Sequence, residues 1–517
     1  NDVAAHLQVK VPKLDWKVMQ LMDVPFRTSH QFDVTFVSDL KKKYEVNASM
    51  TDTSVKAPKK TFQTKDLYVG FATSVDSTKA YMRAGDLDVN FDGRGYVEDI
   101  IGQLNAFTTR AGEQWTSRTI NQEELKTLLP GICLKATSGS DNPISNYLSM
   151  MQGISFERLH LDFDTSPEEG INGEAYLYQM HADSLLVDTI GIDLKHGEDG
   201  LDFLTEVIST AKPNQEAFEV NLDGSIGNGK AQLLLQYLNA RKEKGVYLGV
   251  DAALGRRGIR MKLFPENPIL VYRPFHLNPR NYIYLADRGR FYGDVRLYDD
   301  EGTGIHFYTN REDTIADQEM TVELSRIDLK QFKKVLPYLP DVEGWLGGSA
   351  HYVDSEGQMM LSADVSLDHF VYEKSPLGNW AMNGVYLPGD NNTHHVDGFI
   401  MHNDQEIMFM NGIYQTDETE KENITGELEL QHFPLWVINP FVPDGIVNFR
   451  GDIDGTLAME GNPLKPVLNG GLQLDSVLMV MPDMSIGFRF DNKQVKMQDS
   501  KMVFDKFNIY TRGETPF

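Results

Sequence analysis

Cysteine is almost missing from this chain: Cys133 is the only one in 517 residues. A single thiol excludes an intrachain disulfide framework and a multi-cysteine metal site. It leaves the compartment open, because a repetitive β protein can live in an oxidising space without disulfides. Long apolar runs are missing as well, and none approaches the roughly eighteen residues that a spanning helix needs. Positive charge is in deficit, with 49 Lys plus Arg against 75 Asp plus Glu and a formal charge of −26. That field repels phosphate backbones and anionic bilayer surfaces, which removes nucleic acid and electrostatic membrane docking from the candidate partners. Any lipid contact would have to run through apolar surface. Catalytic signatures are absent too: there is no G-x-S-x-G elbow, no H-E-x-x-H and no P-loop. GSIGNG at 224–229 leads into the strand-like KAQLLLQYL and reads as a turn. Carboxylates are so plentiful that spacing singles out no acid–base pair. We expect no enzyme and no cofactor.

What the chain has is alternation. Apolar types make up 41 % and charged types 24 %, enough to bury a core. Tyr44, Val46, Ala48 and Met50 alternate with polar neighbours, as do Leu159, Leu161 and Phe163, and Phe291, Gly293, Val295 and Leu297. Period two over such lengths means strands with one apolar face and one wet face. The turn clusters between them, such as DDEGTG and PGDNN, are too short for parallel crossovers, so the strands join as antiparallel hairpins. Helical spacing surfaces in YVEDIIGQLNAF, with Val97, Ile100, Ile101, Leu104 and Phe107 on one stripe, and in QEELKTLLP. Residues 97–150 are therefore expected to form a helical insert. The chain opens on a strand-like pattern (Leu7, Val9, Val11) with no signal peptide. We read it as a segment whose anchors lie outside it.

An internal repeat organises the second half. PYLPD (337–341) recurs as PFVPD (440–444), an offset of 440 − 337 = 103, and DVSLDHF (364–370) matches GLQLDSV (471–477) at 471 − 364 = 107. Each copy begins with a short amphipathic helical turn and continues into a glycine-punctuated strand. A period near a hundred residues is far longer than a solenoid coil. It fits a module of several full strands capped by a short helix. The expected division is 1–96 and 151–328 as β segments around the insert at 97–150, then repeat modules at 329–432 and 433–517.

The run from 447 to 476 shows the alternation most cleanly. Val447, Phe449, Ile453, Leu457 and Met459 take odd positions, while Asn448, Arg450, Asp452, Asp454, Thr456 and Glu460 take even ones. DLDVNFDGRGYVED resembles a calcium loop, with Asp88, Asn90, Asp92 and Asp99 in ligand positions. Gly95 stands where an apolar residue should close the loop, the entering segment alternates like a strand, and Asp99 reaches less far than a bidentate Glu. No metal is expected there. In DNNTHHVD, adjacent His394 and His395 would point to opposite faces of a strand and cannot easily share an ion; a solvated hairpin tip is the expectation.

The final stretch, VPDGIVNFRGDIDGTLAMEGNPLKPVLNGGLQLDSVLMVMPDMSIGFRF and on to MVFDKFNIYTRG, resembles the TamB family of the AsmA-like superfamily in its Bacteroidetes-type form. LPDVEGWLGGSAHYVDSEGQMMLSADVSL and SGSDNPISNYLSMMQGISFERLHLDF resemble that family's upstream modules. The resemblance implies a fold and a function. The fold is an elongated, mainly β, antiparallel β-groove (a U-shaped or taco-shaped sheet) of stacked repeats with short capping helices. The function is conduction of phospholipid between inner and outer membranes as part of a translocation and assembly module in the periplasm. Implied partners are phospholipid acyl chains, an outer-membrane barrel of the BamA family, and the inner membrane through an anchor outside this chain. On that basis Val447, Phe449, Ile453, Leu457, Met459, Leu472 and Leu474 would line the groove. The alternative is an extracellular β-solenoid adhesin or glycan-binding protein, which would want aromatic platforms on exposed strand faces.

Overall fold

Alternating strands joined by short turns can only stack neighbour on neighbour, and the computed structural model shows that arrangement. It describes residues 2–511 apart from 21–26, 57–60, 183–184, 213–215, 310–316, 337–338, 390–392, 417–421 and 444. The chain is mainly β, 67 % strand, paired antiparallel into a sheet that does not close into a barrel. It divides into two compact units, Asn1–Pro265 and Glu266–Phe517. No helix among the described residues is long and apolar enough to cross a membrane.

In the first unit, Val3–Asp15, Arg27–Ser38, Tyr44–Lys56, Leu67–Thr73, Ser77–Ala84 and Leu87–Arg94 pair in sequence order. The helices Val97–Thr116 and Gln122–Thr127 then intervene. The chain returns to the sheet as Ile132–Ser138, between Leu87–Arg94 and Arg158–Ser166. The segment expected to be a helical insert is therefore interrupted by a strand. ICLKATS alternates over too few residues to stand out beside the stronger helical stripe. A third helix, Pro143–Met151, follows; buried Asn142 caps it by accepting from the Ser145 N–H at 2.9 Å, with Pro143 in the first turn. From Arg158–Ser166 the meander runs on strand by strand to Lys244–Gly255.

The second unit carries Phe291–Tyr298, Gly304–Tyr308, Gln318–Asp328, Val342–Ser355 and Gln358–Tyr372 in order. It continues to Asn448–Gly461 and Val467–Met481, with Gln494–Gln498 on the far side of the last. Here the repeat is visible in the backbone. Register breaks at Leu324/Ile327 and Leu430/Phe433 place Arg326 and His432 in the same left-handed conformation, both at φ +47°. Short helices follow each break, Leu329–Phe332 and Leu435–Phe441. Gly344, Gly348 and His369 recur as Gly451, Gly455 and Ser476, all with positive φ and each 107 residues on. Gly455, like Gly348, is tightly constrained. At φ +147° a Cβ would stand 2.2 Å from the Gly471 carbonyl oxygen. Gly455→Ala should cost about 2 kcal/mol of stability in chemical denaturation. Gly461, left-handed but facing open space, should cost less when changed the same way.

The chain exposes 31241 Å². Two separate compact bodies of half its mass would together expose only roughly 23,000 Å². Much of the sheet therefore has no second layer on it.

Candidate functional site

Cross-strand pairing turns local alternation into a continuous surface, because register partners share a face. In the first unit one row of partners runs Leu7, Val34, Ala48, Val69, Met82, Val89, Ala136, Leu161, Ala175, Ile192, Thr205, Leu222, Leu235, Leu248. It crosses fourteen strands with one hydroxyl and no charge. The row one residue away, on the opposite face, runs Gln8, Asp33, Ser49, Tyr68, Arg83, Asp88, Thr137, His160, Tyr176, Gly191, Glu206, Asn221, Gln236, Tyr247 and holds no aliphatic side chain.

The second unit repeats the arrangement. Leu297, Ile305, Leu324, Gly348, Val365, Met382, Ile400, Met408, Leu430, Gly455, Leu472 and Val495 form one unbroken row of partners. The adjacent row carries Arg296, His306, Glu323, Asp364, Glu429 and Lys496. Methionine is frequent on the apolar side (Met359, Met382, Met408, Met410, Met459), where thioethers adapt to irregular neighbours. Met360 and Met401 lie on the other face.

Coverage of the apolar face is uneven, and this separates the nominated residues from the open ones. Ile453, Leu457, Leu472, Leu474, Val477 and Val495 pack into one cluster, closed by Leu428, Leu435, Phe490 and Phe507. Leu457 keeps 4 % of its surface and Leu472 3 %. Met459 is buried too, while Phe449 and Val447 are half-buried; Phe449 lies beyond the bulge at Gly451, and Asn439 holds its backbone N–H and carbonyl at 2.7 and 2.9 Å. Apart from Val447, which precedes the strand Asn448–Gly461, the residues named from sequence share an apolar side, but the tightest of them are sealed by their own neighbours. The open surface lies elsewhere on each unit's apolar face: Met382 is 47 % exposed and Leu361 40 % in the second unit, and Leu235 40 % and Ile226 51 % in the first. Alternation could have nominated these residues. What covers each strand is tertiary and is not written in the local pattern.

The polar face is laced with ion pairs, among them Lys79–Asp92 at 3.3 Å and Lys135–Asp162 at 2.7 Å. Asp188 sits half-buried beside Lys212 at 3.2 Å. Burial would raise its pKa, but bonds from the Thr210 N–H and hydroxyl, Gln179 and Lys212 outweigh that and hold the carboxyl well below its usual range.

The calcium lookalike does not form a loop. Asp88, Asn90 and Asp92 lie along the strand Leu87–Arg94 on its polar side, facing Thr137, Lys135 and Cys133, and Asp99 belongs to the first turn of the following helix. Cys133, Asp162 and Asp164 bring ligand atoms within 4.8 Å of one another. Lys135 already neutralises Asp162, and burial followed by the Asp164 carboxylate pushes the Cys133 thiol up, so that it stays protonated and ligates poorly. His394 and His395 lie within the strand Thr393–His402 and not at a hairpin tip, with His394 stacked on Tyr386 at 4.8 Å. Asp390 lies outside the described residues.

Two histidines of the first unit give it an acid sensitivity. His30 is buried, packs edge-on against Phe32 at 4.5 Å, and neither ring nitrogen has a hydrogen-bond partner. Desolvation lowers its pKa, and desolvation followed by the Lys126 ammonium lowers that of His196. The unfolded chain, with histidine near 6.5, takes up protons first. This stability is therefore complete above about pH 6.5 and is lost as pH falls below it toward the depressed folded values. Thermal melts at pH 7.5, 6.5 and 5.5 should show a falling midpoint, with a shallower fall in His30→Phe.

No protein-family model, no curated protein and no solved structure matches this chain.

Proposed function

We propose that the chain shields lipid acyl chains on its apolar sheet face and passes phospholipid between the inner and outer membranes. On this reading it works in the periplasm, anchored to the inner membrane through a segment outside this sequence and partnered by a BamA-family barrel, without enzymatic chemistry. The observation that carries the reading is the apolar row in each unit, which its own chain covers only in part. A face of that length, uncharged and partly bare, would be an aggregation hazard in water unless something apolar lay on it. Hydrocarbon suits a surface with no directional polar groups. The resemblance in the last eighty or so residues supplies the membranes and the partner; the face supplies the chemistry. Purification in mild detergent followed by lipid mass spectrometry tests it. Phospholipid should co-purify at more than one molecule per chain, and lipid-free protein that stays monodisperse without detergent would end the proposal.

One observation favours glycan binding instead. On the polar face Tyr284 stacks with Tyr292 at 6.4 Å, and His306 lies on Tyr308 at 4.5 Å. These rings are half-buried, with His306 between Asp294 and Glu323 at 3.4 Å each. The antiparallel hairpins leave no parallel coils for a solenoid. Glycan-array binding by protein that holds no lipid would favour this second reading.

A further inference from the structure

The first unit forms a half-open cavity of about 380 Å³ between its helices and the end of its apolar face. The helix Val97–Thr116 starts on that face, since Ile100 reaches within 2.5 Å of where a Gly93 Cβ would be. Its far end and the helix Gln122–Thr127 then overlie the ends of later strands. Gln122 anchors the second helix: with its amide oxygen accepting from His196 Nε2–H and the Gly200 N–H, both at 3.1 Å, its nitrogen donates to the Asp199 carbonyl at 3.3 Å. Phe107, Trp115 and Leu125 form the roof, and Leu201, Ile226 and Ala231 the floor. The lining is almost wholly carbon. A dry cavity of about 150 Å³ accepts a six-carbon ring, so on that scale this one holds about fifteen carbons. Lys126 and Lys230 also line it, and among the described residues neither has an ion-pair partner. In a chain of formal charge −26, two unpaired ammonium groups beside a hydrocarbon-lined cavity are a charge match for an anionic head.

We infer that this cavity is a resident site for one long acyl chain bearing an anionic head, with the tail under the helices and the head between Lys126 and Lys230. The inference rests on the lipid-shielding reading and deepens it, separating a place where a chain is held from a face along which it moves. Lysine stems lie along apolar surface while their charges stay in water, so a carboxylate or a lipid phosphate would meet them at the cavity rim.

The test uses full-length variants with a single tryptophan. One keeps Trp115 and the other keeps Trp380, which lies on the second unit's apolar face opposite Leu367; the remaining four are changed to phenylalanine. Dibromostearate, whose bromines quench indole on contact, is the probe. Trp115 should be quenched saturably, and dibromostearate methyl ester should bind more weakly. Lys126→Ala with Lys230→Ala should weaken the anion about tenfold and leave the ester unchanged. Ala231→Phe, which fills the floor, should abolish quenching at Trp115 and leave it at Trp380. Quenching of Trp380 without Trp115 overturns this inference and leaves the conduction reading standing. Quenching of neither overturns both. Equal affinity for acid and ester, untouched by the lysine changes, overturns the anionic head.

Discussion

Leu457→Lys should unfold the last repeat of the second unit, costing on the order of 4 kcal/mol. Leu457 is sealed against Leu428, Leu472 and Val495, so the substitution removes core packing and sets an ammonium among hydrocarbon with no partner. Thr456→Lys, one residue away, points to the opposite face, is exposed, and stands opposite Glu429. It should change stability by no more than about 0.5 kcal/mol. Denaturation midpoints of the two variants measure the difference directly. Because repeat modules are coupled only through their neighbours, the first unit's transition should stay in place in both.

Met382→Asp should do the reverse, leaving the fold nearly intact while removing lipid. Almost half of Met382 already meets solvent, so its truncation and the new charge cost about 1 kcal/mol or less in folding. Its partners Val365 and Ile400 lie in the middle of the apolar row. A carboxylate against hydrocarbon at that point interrupts the face, and a penalty of about 1.4 kcal/mol is already tenfold in occupancy. Co-purified phospholipid should fall roughly tenfold, whereas Asn383→Asp on the other face should match the parent. Envelope complementation should follow the same order.

These two variants separate what was legible in the sequence from what was not. Period-two alternation places Leu457 and Met382 on one face, and strand pairing confirms that they belong to neighbouring rows of it. The repeat was legible through its prolines and glycines, and the backbone shows why: Gly348 and Gly455 occupy the same left-handed position where a side chain would strike the next strand. Alternation says nothing about coverage. Leu472 is closed because Val495 stands beside it on the neighbouring strand and Phe507 packs against the same cluster from later in the chain, and no pattern around 472 records that. The open residues Leu235 and Leu361 look locally the same as the closed ones. The strand Ile132–Ser138 escaped for a related reason, since it is short and flanked by helices and its place in the sheet is decided by partners on both sides. The cavity under the helices was equally hidden, because it joins residues from 107 to 259 that only the fold brings together.

The measurement that tests the central claim most directly is photocrosslinking from the strand Gln358–Tyr372, with a benzophenone amino acid at Leu361 or Asp364. Both positions are exposed, and they lie on opposite faces, Leu361 opposite Tyr386 and Asp364 opposite Asn383. Accessibility therefore cannot explain a difference between them. In cells, Leu361 should capture phospholipid and Asp364 should not. Equal lipid yields at the two positions, or none at Leu361, would contradict an apolar face that carries acyl chains.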